Sequence, residues 1–420
     1  MGTRFGDALP NLPVRREEEA ILLCVLADRD AAQEDRLRSL IGVGGQVEAG
    51  SFWSEAAQQQ VSPLVARTLS AASVSPHLPA SILEEARSVR LQTMFRNMAL
   101  HTELLKVADA LQSEGVPTVP LKGTHLCEYV YGALDARQVG DIDILVPQPQ
   151  IERAHRVLRR MGYAPAVSVP PGAKEHTFHG VPLVRQGPTV RFVIEPHWEL
   201  SDSRFVSIDY DNIWKRVLAG ENDPASPLLS LPDEEWLLFL SLHLPKHDTG
   251  VLRLLADIDR LVRRGTDTLD WACFIALAQE WSATSLAYFA LQRSWQLLGT
   301  PVPSWVLDRL EPSSFRRAFV GLLAGPFAIL RPPASEHLRS NRFRLAYCAM
   351  LQPSGRAVRA YWHYLFSRPG MSPGPGSTPA VLAVVRQLAR GAAWTGLALA
   401  SAFSDRRCRP VVRAERTQTA

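Results

Sequence analysis

The chain has 420 residues, which is long for one domain and favours two or three. Its 46% hydrophobic and 21% charged residues are ordinary for a soluble globular protein. The 46 basic and 42 acidic residues give a net charge of +4, and this near balance does not support a nucleic-acid-coating role.

The cysteines and the N-terminus indicate the expected compartment. The five cysteines never form a CxxC pair, which argues against a disulfide framework or a zinc site and predicts a reducing cytoplasm. The first ten residues have no apolar core, so we expect no signal peptide. The chain has no run of 18 uncharged apolar residues, so we also expect no membrane span.

The first part of the chain, residues 1–115, is predicted to be helical. Apolar residues recur at three- and four-residue spacing, as on the buried face of an amphipathic helix. This spacing predicts helices over residues 17–26, 30–40, 52–72 and 79–114, and the third is interrupted near Pro63.

The second part, residues 116–208, is predicted to be a small α/β core. β-branched and apolar runs predict strands over residues 116–121, 141–146, 181–184 and 190–197. The last two would form a hairpin, and short helices are expected over residues 124–131 and 149–161.

The third part, residues 209–366, is predicted to be helical again, and residues 367–420 combine a Pro/Gly linker, a helix and a basic tail. The whole is therefore predicted to be an α+β protein, with a small mixed sheet flanked by helical regions. The C-terminal helices are predicted over residues 211–218, 233–247, 252–263, 270–281, 285–298, 306–309, 313–324, 340–351 and 380–403.

Two carboxylates, Asp141 and Asp143, lie one residue apart in the second predicted strand. Side chains alternate along a strand, so both acids point to one face and Ile142 points to the other. Carboxylates are rarely buried without a partner. A divalent metal with a preference for oxygen, Mg²⁺ by default, is the expected partner.

Lys122 and Gly123 form a predicted turn before a helix, where backbone N–H groups favour phosphate. Metal and phosphate together indicate phosphoryl or nucleotidyl transfer. The alternatives are an ordinary turn with a solvated lysine and an acidic pair that binds nothing.

Four histidines are candidate metal ligands by their spacing or position. His243 and His247 have the spacing of a helical metal site, but no Glu follows His243 and Pro245 lies between them, which excludes a zinc protease. His176 and His179 are better explained as solvated loop residues.

Four segments occur in a diagnostic order: LKGTHLCEYVYG, RQVGDIDILV, IEPHWEL, and LHLPKH followed by RLLADIDRLV. Together they resemble the uncharacterised bacterial nucleotidyltransferase family of the polymerase-β-like superfamily. The resemblance implies a small mixed sheet and three acids that hold two Mg²⁺ ions. Asp141 and Asp143 match the paired acids, Glu195 matches the third, and Glu199 is the fallback.

The resemblance also implies a substrate cleft. Lys122, Gly123 and Thr124 would hold the phosphates, and Arg137 would contact phosphate or clamp the loop before the acids. Residues on the opposite wall would be Lys246, His247 and Asp257. His197 is expected either to pack or to form a hydrogen bond beneath the site. Because Pro196 cannot donate to a sheet ladder, the strand is expected to end there or to lie at an edge.

The expected function is Mg-dependent transfer of a nucleoside monophosphate from an NTP, with ATP as the expected donor. The acceptor would be a hydroxyl or phosphate of a natural product, sugar, peptide, protein or RNA end. One alternative is a toxin-like nucleotidyltransferase that modifies a protein or tRNA. The other is a non-catalytic nucleotide-binding scaffold.

Overall fold

A computed structural model describes residues 14–166, 182–203, 205–220, 223, 225–244, 252–323, 329–331 and 345–351. Within these residues fourteen α-helices have defined bounds, residues 345–350 form a further helical segment, and the strands form one five-stranded sheet. The predictions for residues 367–420 and for His176, His179, Lys246 and His247 lie outside the described residues.

The N-terminal part is helical, as predicted. The stretch predicted as one interrupted helix forms two, because Gln60 takes a left-handed φ of 55° and Pro63 lies in the first turn of the next helix. The helices are α1 (Arg16–Val25), α2 (Ala31–Ile41), α3 (Ala49–Gln58), α4 (Ser62–Leu69) and α5 (Ala80–Ser113).

The strands form a mixed sheet in the order β1-β2-β5-β4-β3, in which β2 and β5 are parallel and the other pairs are antiparallel. The short strand β3 was not predicted. The elements are β1 (Val119–Pro120), α6 (Thr124–Tyr129), β2 (Ile142–Leu145), α7 (Ile151–Arg160), β3 (Ala164–Pro165), β4 (Leu183–Gln186) and β5 (Arg191–His197).

Strand β5 does not end at Pro196 but continues to His197, and it lies between β2 and β4. Its described register with β4 runs only to Ile194, while its register with β2 continues to His197. The proline therefore lies beyond the described β4 pairing, where its missing N–H removes no bond to that strand.

The C-terminal part is helical, and its helices start and end close to the predicted residues. Residues 345–350 are also helical. The helices are α8 (Tyr210–Ala219), α9 (Asp233–His243), α10 (Leu252–Arg264), α11 (Trp271–Glu280), α12 (Thr284–Leu298), α13 (Ser304–Leu310) and α14 (Ser314–Leu323).

Buried apolar side chains form two clusters. One joins the sheet to α5 and α7. The other joins the N-terminal helices to the C-terminal helices and reaches the sheet through Val119 and Leu145. The predicted α+β class is confirmed, and the division into separate domains stays a prediction. Among the described helices, none combines the length and the apolar character needed to cross a membrane.

Candidate functional site

The parallel pairing of β2 with β5 places two acids side by side. Asp143 lies directly opposite Glu195, and His197 follows two residues later on the same face of β5. One potential ligand atom from each of these three side chains lies within 4.8 Å of the others. Two carboxylates and an imidazole are a donor set that fits a divalent metal ion.

Asp143 is almost fully buried, with 1% of its surface exposed. The Nζ atom of Lys122 forms an ion pair with Oδ2 at 3.1 Å, and Nε2 of His197 lies 3.0 Å from Oδ1. Burial would raise the pKa of Asp143, but Lys122 and His197 lower it to about 2. This carboxylate is therefore ionised at neutral pH.

In contrast to Asp143, Glu195 and Asp141 have raised pKa values. Burial raises the pKa of Glu195, and the charges of Asp143 and Asp141 raise it further. Burial and the charge of Asp143 also raise the pKa of Asp141. A bound cation would relieve this repulsion.

The three predicted acids are not equivalent in position. Asp141 precedes β2 and is only partly buried. Within the described residues, the group of potential metal ligands within 4.8 Å contains Asp143, Glu195 and His197, and Asp141 lies outside it. The structure thus brings two of the predicted acids together and adds His197, while the fallback Glu199 also lies outside the group.

The Lys122-Gly123 turn is fastened directly to β2, because the N–H of Leu121 donates to the carbonyl of Asp143 at 3.0 Å. Gly123 has φ 74° and ψ −136°, a conformation essentially restricted to glycine. A Cβ atom there would lie 3.4 Å from the carbonyl oxygen of Asp141. Glycine therefore allows the backbone of the turn to take this conformation beside Asp141. Thr124 begins α6 and is buried.

Residues 130–141 connect α6 to β2, and we call this segment the acid loop. Helix α5 holds it from one side. Arg96 donates from Nε to the carbonyl of Val139 at 2.9 Å and from Nη2 to that of Gly140 at 3.1 Å. The buried Asn97 donates from Nδ2 to the carbonyl of Arg137 at 2.7 Å. These bonds fix the backbone immediately before Asp141.

Helix α10 holds the acid loop from the other side, through Arg137. Its guanidinium contacts both oxygens of Asp257, with Nε 3.0 Å from Oδ1 and Nη2 3.0 Å from Oδ2. The hydroxyl of Tyr131 donates to Oδ1 of Asp257 at 2.8 Å. Of the two roles expected for Arg137, this geometry favours clamping the loop. Asp257 is fully buried as its anchor.

Sequence reasoning missed Arg253 and Gln60. Arg253 lies one helical turn before Asp257, and its Nε donates to Oε1 of Gln60 at 2.9 Å. Burial and the neighbouring Arg137 lower the pKa of Arg253 to about 10. The sequence contains a signal for Arg253, because it is the first residue of the segment RLLADIDRLV and precedes Asp257 by four residues. On a helix this spacing brings the two side chains close together.

The profile of a family described as uncharacterised nucleotidyltransferases matches residues 45–299. This match covers more than half of the chain and includes the sheet, the acids and α10, and the protein belongs to that family. Searches among curated proteins and among solved structures found no match to the chain.

Proposed function

We propose that the protein is a Mg²⁺-dependent nucleotidyltransferase that moves a nucleoside monophosphate from an NTP, with ATP as the expected donor. The acceptor would be a hydroxyl or phosphate group, and pyrophosphate would be released. The observation that carries the proposal is the register of Asp143 opposite Glu195 in a member of this family.

Asp143 and Glu195 would hold the metal, with Asp141, the other member of the acid pair, beside them. The fit rests on their oxygen donors and on the raised pKa of Glu195 and Asp141. Part of this rise comes from repulsion between the carboxylates, which a divalent cation would relieve. The bound metal would neutralise charge on the triphosphate and lower the pKa of an acceptor hydroxyl. His197 would keep Asp143 oriented through the contact at Oδ1.

Side chains and backbone groups of the protein would bind the phosphates and accept the proton. Lys122 and the Gly123-Thr124 backbone would contact the phosphates. Lys122 lies 3.1 Å from Asp143, so its ammonium group is next to the proposed metal ligands. Glu195, whose side chain is 24% exposed and whose pKa is raised, is suited to accept the proton of the acceptor hydroxyl. The acceptor oxygen would bond to the α-phosphorus as the bond to the pyrophosphate oxygen breaks.

The test incubates the protein with each labelled NTP, Mg²⁺ and a cell extract, and compares wild type with Asp143→Asn. We expect labelled product from the wild type alone. Label in a macromolecular fraction would point to a protein or RNA acceptor, and label in a small molecule to a metabolite. Wild type that binds no Mg-NTP and behaves like the variant would overturn the proposal.

A second pair of variants tests the third acid. Glu195→Gln should abolish transfer, because it removes a proposed ligand opposite Asp143. Glu199→Gln should retain transfer, because Glu199 lies outside the group of potential ligands found among the described residues. The reverse result would assign the third acid to Glu199.

A further inference from the structure

Arg253 is a buried cation whose side chain makes one hydrogen bond and one longer ion pair with the described residues. Its side chain is 11% exposed, and Nη1 lies 3.7 Å from Oδ2 of Asp257, beyond hydrogen-bond distance. Arg137 already donates to both oxygens of that carboxylate. Two guanidinium groups therefore share one carboxylate in a largely buried place, an arrangement that is costly unless a further anion is present.

The turn between α3 and α4 fixes the direction of this side chain. Gln60 adopts φ 55°, which is uncommon for a residue other than glycine, and its Oε1 accepts from Nε of Arg253 at 2.9 Å. The adjacent Gln59 accepts from the N–H of Leu252 at 2.9 Å through Oε1. In the described part of the chain, Nε is the guanidinium atom that donates a hydrogen bond, and Nη1 makes the longer 3.7 Å ion pair with Asp257.

Arg253 also belongs electrostatically to the acid cluster. Its charge lowers the pKa of Asp141, and the charge of Asp141 raises that of Arg253. A metal-bound polyphosphate carries both charges that this arrangement requires, with a cation for the acids and anionic oxygens for the guanidinium. Arginine N–H groups match phosphate oxygens in geometry as well as in charge.

We propose that Arg253 binds the phosphate chain of the nucleotide and that Gln60 is the residue that positions it. This inference rests on the proposed function and adds a phosphate contact from α10 to the one proposed for the Lys122 turn. The competing explanation is that Arg253 serves only as a counter-ion for Asp141 and Asp257. In that case its removal would change stability and leave phosphate binding intact.

Magnesium tripolyphosphate is the probe that separates the two explanations, because it carries the phosphate chain without a base. It is titrated by calorimetry, alongside Mg-ATP, into wild type, Arg253→Gln, Arg253→Lys and Gln60→Ala. We expect Arg253→Gln to weaken both ligands about 10- to 100-fold, the loss of one charge-assisted hydrogen bond. Arg253→Lys should lose less, and Gln60→Ala should lose affinity at temperatures where it remains folded.

Arg260→Gln is the matched control. Arg260 lies on the same helix, pairs with Asp259 at 2.5 Å, and its guanidinium lies 5.9 Å from the centre of the Tyr131 ring. Its removal therefore perturbs α10 and the acid loop while the side chains of Arg253 and Gln60 stay in place. It should bind tripolyphosphate as the wild type does. If Arg253→Gln does not fold, Arg253→Lys and Gln60→Ala carry the test.

Two results would overturn the inference. The first is that the Arg253 and Gln60 variants bind both ligands as tightly as wild type, and this leaves the proposed function intact. The second is that Arg260→Gln loses affinity to the same extent as Arg253→Gln. Wild type that binds neither ligand would instead overturn the proposed function itself.

Discussion

At Asp143 the pKa falls to about 2, whereas at the two nearby acids it rises. The difference lies in the partners, since Asp143 alone among these acids has both Lys122 and His197 within 3.1 Å. Asp143 is therefore a permanently charged anchor. Asp141 and Glu195 are the acids whose charge a bound cation would stabilise.

The paired acids should respond differently to neutralisation. Asp141→Asn removes a repelling carboxylate, so in the absence of metal it should leave the free energy of unfolding unchanged or slightly higher. Asp143→Asn removes the partner of Lys122 and His197 and should lower it by about 2 kcal/mol. Urea unfolding with a chelator present measures both values. A large loss of stability in Asp141→Asn would contradict the assigned repulsion.

His125 makes the stability depend on pH. Its ring stacks on Trp236, with centroids 5.1 Å apart, and burial together with His101 lowers its pKa from 6.5 to about 4. Below pH 6.5 the unfolded chain binds a proton that the folded chain does not, so stability falls as the pH falls from 6.5 to about 4. The loss is on the order of 3 kcal/mol.

His125→Phe keeps an aromatic ring and removes the titration. The difference between its free energies of unfolding at neutral pH and near pH 4.5 should therefore be smaller than that of the wild type by up to about 3 kcal/mol. Equal pH dependence in both proteins would show that His125 is not the group responsible.

At the scale of elements, the site depends on how the acid loop and the Lys122 turn are held. Helix α5 binds the loop backbone through Arg96 and Asn97, and α10 binds it through Asp257. The turn is bonded to β2 at Asp143. Each of these supports joins segments that are distant in sequence, so the position of the acids is a property of several elements together.

Gly123→Ala tests the turn. The backbone conformation at φ 74° and ψ −136° is strained for alanine, so the change should cost about 1–3 kcal/mol, and the new Cβ would lie 3.4 Å from the carbonyl oxygen of Asp141. Gly132→Ala is the control, since its φ is 65° but nothing lies within 4 Å of the added Cβ. Mn²⁺ titration should show weakened binding for Gly123→Ala alone. Equal metal affinities would contradict the close approach as a requirement of the site.

At the scale of the whole molecule, the family match and the packed core have different boundaries. The match begins at residue 45, yet α1 and α2 precede it and α1 packs into the larger apolar cluster. Glu18 on α1 is buried, and its Oε2 accepts from Nη2 of Arg331 at 2.6 Å. The physical unit therefore includes helices that the family match leaves out.

A chain that starts at residue 45 should fail to fold cooperatively. Removing residues 1–44 deletes the buried side chains of α1, which together contribute on the order of 10 kcal/mol to the free energy of unfolding. This is comparable with the whole stability of a typical domain. Thermal unfolding followed by circular dichroism would check this, with Leu22→Ala, at 0% exposure, as a graded comparison expected to cost about 2–5 kcal/mol. Unchanged melting of the shortened chain would contradict a shared core.

Local pattern predicted the helices and the hairpin, because apolar periodicity and turn residues act over a few positions. It did not predict strand β3, which has two residues and no apolar alternation of its own. It also left the role of His197 open, since that role depends on the register between β2 and β5.

The amino-acid sequence by itself determined the α+β class and the order of the elements. Only the tertiary structure decided that Arg137 pairs with Asp257, and that Arg253 donates to Gln60. The partners in these contacts are 120 and 193 residues apart. The physical reason is that side-chain periodicity specifies which face of an element is buried, whereas the partner it meets is set by how the elements pack.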